Sequence, residues 1–348
     1  MTDVFQSSNQ ITVDGEYASM ATAPFGVRIN HIGRYKMPLL PGEVGTKAGG
    51  DWVPRGVQSA TNLAGSIVES RMLGIWERER GQIGMAMRPD LVERLAFLIN
   101  RAHVQGVDFA NLKDSPAGQD VKKELELIHA EAKQTAGGNL AAQRGTNRHD
   151  VWEHRAATGQ LFGTPEVNEQ IEALEQLLKR KHLRRVPGLQ ERVVRNVSLR
   201  AAGKFDDVLQ ATEDIEWNDP DRCPSRFCIP AGTLLMADLK TKRRQFYSWL
   251  EVRIQLAVYA TAEWMLYNTE SEIEDSEVTN TGYVPGPKHH VSQDWGVVLW
   301  APSDGATPQL KRCNLRKGYE HALLARQVCD ARSEAKNVAA HGEAEWPT

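Results

Sequence analysis

From Gly145 onward the chain reads helix, strand, strand, strand, helix, strand, and this order narrows the available folds more than any other feature. Strands joined directly pair antiparallel, whereas a helical crossover returns a strand in parallel, so the order implies a mixed sheet flanked by helices. The first helix is GTNRHDVWEHRAATG. A charged helix, NEQIEALEQLLKRKHLRR, follows and stops at Pro187-Gly188. ERVVRNVSL and AGKFDDVLQA read as strands with a tight break at Ala201 to Gly203. A polar insertion then leads to a third strand, GTLLMADLKT. RQFYSWLEVRIQLAVYATAEWMLYN reads as one long helix. An acidic loop (ESEIEDSE) separates it from a last strand, DWGVVLWAP, paired with PQLKRCNL, and a final helix covers 316–336.

The region before Gly145 differs. Residues 1–55 are rich in Gly and Pro and read as loop, short strands or an extended arm. Helical periodicity starts near Thr61, Pro89 opens a second helix, and a third ends at Gly137-Gly138. The expected division is an arm and helical region at 1–140, a core at 141–336 and a frayed tail at 337–348. With 348 residues, 41% of them hydrophobic, a sizeable core is affordable.

Several classes fall away. A net charge of −3 rules out nucleic-acid coating by bulk charge, so any such site is a local patch. Four cysteines exclude a disulfide-dense secreted scaffold. No segment has the pattern of a signal peptide or a membrane span, which makes a cytoplasmic protein the expectation. Phosphate-loop and dinucleotide-binding motifs are missing from the sequence.

The polar residues inside the apolar runs carry the chemistry. In LLMADLKT, Asp238 and Lys240 lie two apart and project from one strand face, with Leu239 turned into packing. A carboxylate beside an ammonium suits metal-assisted hydrolysis: the acid holds a hard cation and the lysine steadies water or developing charge. Alternatively, the pair is a salt bridge on an exposed strand face. Asp206 and Asp207 point to opposite faces of GKFDDVL, and a buried acid needs a partner or a metal. Gly203 before them permits a sharp turn or a close approach. His149 and Glu153 share a helix face, as do Gln255 and Tyr259. Glu191 opens the first strand. The run 177–185 gathers Lys179, Arg180, Lys181, His182, Arg184 and Arg185 at a helix end. Those cations either grip phosphates or complement the helix dipole.

Taken in order, G-x-x-x-H-x-x-x-E (Gly145, His149, Glu153), G-x-x-D (Gly203, Asp206), D-x-K-T (Asp238, Lys240, Thr241) and Q-x-x-x-Y (Gln255, Tyr259) resemble the RecB-like exonuclease branch of the PD-(D/E)XK nucleases. That branch includes CRISPR-associated and phage exonucleases, and the likeness covers roughly 145–315. It implies an α/β fold with a restriction-endonuclease-like αβββαβ core on a mixed central sheet. It implies a DNA exonuclease dependent on Mg²⁺ or Mn²⁺, with His149, Asp206, Asp238 and the backbone carbonyl of Leu239 as ligands. Lys240 would orient or deprotonate water. Gln255 and Tyr259 would shape the site and contact the DNA backbone, with Glu153 and Glu191 as helpers. Thr241 and the 177–185 cations are the candidates for further DNA contact. DNA is the implied partner, with a homo-oligomer or a recombination protein as further candidates.

Some relatives carry an iron–sulfur cluster, but no cysteine precedes His149 here, and Cys223 and Cys228 form C-x₄-C inside an insertion. No cluster is expected. Two rival readings keep the fold: a DNA-binding or assembly factor with little turnover, and a structure-specific endonuclease.

Overall fold

The computed structural model describes residues 30–32, 35–37, 45–48, 51–54, 57–68, 71–138, 140–219, 223–241, 249–268 and 281–341. The acidic loop 271–278 and the tail 342–348 lie outside them. The chain packs as two units, one formed by 1–68 with 148–348 and the other by 69–147. Among the described residues, no helix is long and apolar enough to cross a membrane.

The smaller unit is helical. It holds α2 (Arg71–Met87), α3 (Pro89–Val104) and α4 (Pro116–Thr135), and α1 (Ala60–Gly65) precedes it in the chain. Pro89 and Pro116 open their helices, and Ser115 Oγ accepts from Gly118 N at 3.0 Å. Leu91, Leu98, Ala102, Val121, Ile128 and Ala132 form its core. Gly84 lets α2 lie directly on α4, since a Cβ there would stand 1.8 Å from the Ala132 carbonyl oxygen.

The larger unit is α/β with mixed sheets. Short pairs β1–β2 (Asn30–Ile32, Tyr35–Met37) and β3–β4 (Gly45–Ala48, Asp51–Pro54) come first, then β5 (Gln58–Ser59). Helices α5 (Leu140–Thr158) and α6 (Pro165–Arg180) lead into β6 (Leu183–Arg185), β7 (Val193–Asn196), β8 (Ala201–Lys204) and β9 (Asp207–Ala211). A hairpin, β10 (Ile215–Asp219) with β11 (Cys223–Ile229), occupies the polar insertion. Then come β12 (Leu234–Lys240), α7 (Trp249–Ala260), β13 (Trp264–Asn268), β14 (Thr281–Pro285), β15 (Trp295–Trp300), β16 (Gln309–Asn314) and α8 (Leu315–His341).

Two five-stranded sheets result, in the orders β16-β15-β12-β9-β6 and β14-β13-β7-β8-β5. Each is mixed: β12 runs parallel to β15 and antiparallel to β9, and β8 runs parallel to β5 and antiparallel to β7. The chain passes from one sheet to the other at Phe205-Asp206, between β8 and β9. Strand β12 shows the period of two. Leu235, Ala237 and Leu239 pack with Ile171, Leu174 and Trp152 of α6 and α5, while Met236 joins Val258, Leu315 and Ala322 of α7 and α8. Asp238 and Lys240 therefore share the α7 face.

Several sequence readings are corrected. The turn expected at Ala201 to Gly203 falls at 197–200, where Arg200 takes φ 48°. The long helix is split: α7 has 12 residues and Trp264–Asn268 is a strand. The reason lies at Glu263, whose carboxylate accepts from Val197 N at 2.7 Å and Ser198 Oγ at 2.6 Å and so ties the chain to the β7–β8 turn. Helix α6 ends at Arg180, because His182 takes φ 53° and turns the chain into β6. The final helix runs to His341, past the expected tail boundary.

Candidate metal centre

Each element brings one part of the site. Asp206 sits in the crossing between β8 and β9, a place where no ladder partner constrains it. Its Oδ2 accepts from the Leu239 amide at 2.6 Å, which binds the crossing to β12. Leu239 thus touches the site through its N–H, and its side chain is fully buried in packing. His149 on α5 places Nδ1 3.6 Å from Asp206 Oδ2. Glu191, in the loop before β7, completes the group: donor atoms of His149, Glu191 and Asp206 all lie within 4.8 Å of one another. Glu191 holds φ 54°, a left-handed backbone uncommon for a non-glycine residue. Its N–H donates to the Asp206 carbonyl at 3.3 Å and its carboxylate pairs with Lys204.

Asp238 stands beside this group but is not one of the three clustered donors. Its Oδ2 pairs with Lys240 Nζ at 2.7 Å. Lys240 Nζ also donates to Gln255 Oε1 at 3.5 Å, and Gln255 Nε2 donates to Thr61 Oγ1 at 2.9 Å. Glu153 is exposed and outside the donor group. Thr241 is half-buried and its carbonyl accepts from Ser303 N at 2.9 Å. Tyr259 is buried with its ring against Gly203.

The electrostatics are those of crowded acids. Burial, together with the Asp238 charge, pushes the Asp206 carboxyl up to about 7 even though the Leu239 amide opposes the shift. Burial also lifts Glu191 to about 7 against the pull of Lys204. Burial lowers the His149 pKa, with Asp238 opposing and Lys240 adding to it, so the imidazole is neutral at pH 7. For Lys240 burial works against the charge, but Asp238 and Asp206 outweigh it and the pKa rises. Two ionised carboxylates with oxygens within 4.8 Å of one another repel by roughly 3.5 kcal/mol or more at an effective dielectric near 20. A neutral imidazole and two crowded carboxylates fit a hard divalent cation, which removes that repulsion.

The neighbouring aspartate does something else. Asp207 is wholly buried: Oδ2 accepts from Trp152 Nε1 at 3.2 Å and pairs with Arg185, while Oδ1 accepts from Gln190 Nε2 at 3.0 Å and Val208 N at 2.9 Å. Arg185 also donates to the Trp152 carbonyl at 2.9 Å and stacks 3.9 Å over the Trp152 ring. This corrects the reading of Arg185 as a DNA contact, for its guanidinium is spent inside the protein. Lys179, Arg180, Lys181 and Arg184 are exposed. Cys228 is exposed and free, Cys313 and Cys329 are free and buried, and the Cys223 side chain lies outside the described residues.

Sequence reasoning gave the Ser-x-Thr segment that holds Thr61 no role in the site, missed the Arg185–Asp207–Trp152 contacts and ranked Glu191 only as a helper. An acid at the start of a strand was the whole signal for Glu191; its left-handed backbone leaves no mark in the sequence. Gly203 answers its expectation of close approach: a Cβ would stand 2.7 Å from Tyr259 Cε1 and 3.1 Å from its hydroxyl. Gly203→Ala is expected to push the ring aside and cost about 1–3 kcal/mol, read as a lower urea midpoint with an unchanged slope.

No family model and no curated protein matches this chain.

Proposed function

We propose that this chain is a metal-dependent DNA exonuclease of the RecB-like PD-(D/E)XK type, processing DNA ends in phage or bacterial recombination or repair. The observation that carries this reading is the meeting of His149 and Asp206, remote in sequence, beside the Asp238–Lys240 face. His149, Glu191 and Asp206 would hold Mg²⁺ or Mn²⁺, with Asp238 as the adjoining acid. Such an ion, when bound, neutralises phosphate charge and lowers the pKa of water.

The chain's own residues supply the rest. The Leu239 amide fixes the Asp206 carboxylate through Oδ2, the same oxygen that stands 3.6 Å from His149 Nδ1. Lys240, kept charged by its acids, offers a donor to an attacking water or to a phosphoryl oxygen as charge builds there. Gln255 limits where that ammonium can point. The exposed Lys179, Arg180, Lys181 and Arg184 are the candidates for phosphate contacts outside the site.

The test is cleavage of labelled linear and circular DNA, single- and double-stranded. Linear DNA is expected to shorten from its ends in Mn²⁺ or Mg²⁺, to survive in EDTA, and to be degraded again when metal is returned in excess. Binding without cleavage in either metal would favour the assembly-factor reading. Cutting of circles would favour an endonuclease.

A further inference from the structure

We infer that Thr61 is a positioning residue for Lys240, acting through Gln255; this rests on the nuclease reading of the same site. Thr61 lies 194 positions from Gln255 in the chain, and Gln255 Nε2 donates to its hydroxyl at 2.9 Å. The direction of the amide is forced. A lysine ammonium only donates, so the Gln255 group facing it must be the carbonyl oxygen, at 3.5 Å. The amide nitrogen then points the other way and needs an acceptor, which Thr61 Oγ1 provides. Gln255 is buried, so an unmatched N–H there is costly and the side chain would turn to escape it. The 3.5 Å contact to Lys240 is already long, and a small rotation of the amide breaks it.

Thr61 itself is held by the fold. Ser59 and Gln58 pair with Ala202 and Ala201 on β8, the strand that leads to Asp206. Ala60, Leu63 and Ala64 of α1 are buried in the same core as Val252, Ile254 and Leu256 of α7. The acceptor is thus fixed relative to both the helix carrying Gln255 and the strand carrying Gly203.

The experiment compares kcat and KM for linear DNA in the full chain and three variants. Thr61 is exposed, so Thr61→Val keeps the shape but replaces a fixed acceptor with mobile water at Gln255 Nε2; it is expected to lower kcat about tenfold with KM little changed. Thr61→Ser keeps the acceptor and is expected to stay near wild type. Ser66→Ala loosens the same helix at its other end, where Ser66 Oγ donates to the Leu63 and Ala325 carbonyls, and is expected to leave kcat unchanged. Wild-type kcat in Thr61→Val, no recovery in Thr61→Ser, or an equal fall in Ser66→Ala would each overturn the inference. An inactive wild-type chain would overturn the nuclease reading itself and this inference with it, an outcome distinct from the other three.

Discussion

Lys240→Ala is expected to lose DNA cleavage by about 10²–10³-fold while the chain stays folded, the loss typical of removing one preorganised donor from a reaction centre. The size follows from where the ammonium sits. Lys240 lies on the α7-facing side of β12, 2.7 Å from Asp238 Oδ2, with Gln255 on its other flank. Asp238 and Asp206 raise its pKa despite burial, so at neutral pH it is a fixed positive charge rather than a base. A fixed charge serves to orient water or to meet an oxygen that becomes more negative. Water that fills the vacated space would be free to reorient, which is why the loss should exceed that of a mere surface cation. Lys240→Gln, which keeps a donor without the charge, should recover little. Single-turnover cleavage of an end-labelled duplex in Mn²⁺, alongside a thermal melt of each variant, checks this. A folded Lys240→Ala chain cleaving at more than about a tenth of the wild-type rate would remove Lys240 from the reaction.

The legible part of this site was set by local periodicity. That Asp238 and Lys240 share a strand face, and that Leu239 packs on the other, follows from a period of two, and β12 obeys it. A period of 3.6 puts His149 and Glu153 on one face of α5, but only His149 reaches the donor group, while Glu153 is exposed outside it. What could not be read is whatever depends on a backbone conformation or on a partner far away in the chain. The sequence places Asp206 and Asp207 side by side and gives each a face, but not a fate. Asp206 falls in the crossing between two sheets, where its carboxylate is free to turn to His149. Asp207 begins β9 and is consumed by Trp152, Arg185 and Gln190.

The fold shows the same division. The α/β mixture, the β15–β16 pairing and the helix opened by Pro89 were visible because they rest on short-range pattern. Helix α7 was overextended because ATAEWMLYN carries no breaking residue. Glu263 ends it by bonding to a turn more than sixty residues upstream, a tertiary cause with no local signature. The hairpin β10–β11 reads from sequence as a polar insertion because Asp219-Pro220 and Cys223-Pro224 signal turns, although Asp219 and Cys223 pair within it. The basic run 177–185 looked like one surface feature. Instead, His182 turns the chain, the run divides between α6 and β6, and its last arginine points inward.

That inward arginine yields the largest expected loss of stability. Arg185→Ala should destabilise the larger unit by about 3–5 kcal/mol, because it strips the partner from a buried carboxylate rather than removing a surface charge. Arg185 joins three things: the Asp207 carboxylate, the Trp152 carbonyl on α5 and the Trp152 ring. With it gone, Trp152 Nε1, Gln190 and the Val208 amide still bond Asp207, but no positive charge faces it. Burial already holds the Asp207 pKa above the ordinary carboxylate range with Arg185 opposing, and the deletion moves it further the same way. An acid raised on folding favours the folded state below its unfolded pKa and loses that advantage as pH rises through the folded value. The deficit of Arg185→Ala should therefore be smallest in acid and grow toward neutral pH. Adding Asp207→Asn to Arg185→Ala removes the stranded charge and should restore part of the loss, giving a coupling that the single substitutions do not predict by addition. Urea melts of the four proteins at acid and neutral pH measure all of this. Because Trp152 lies one turn beyond His149 on α5, the melts also show how firmly the scaffold holds His149. Additive substitutions with a deficit independent of pH would mean that Arg185 acts by packing on the tryptophan ring alone.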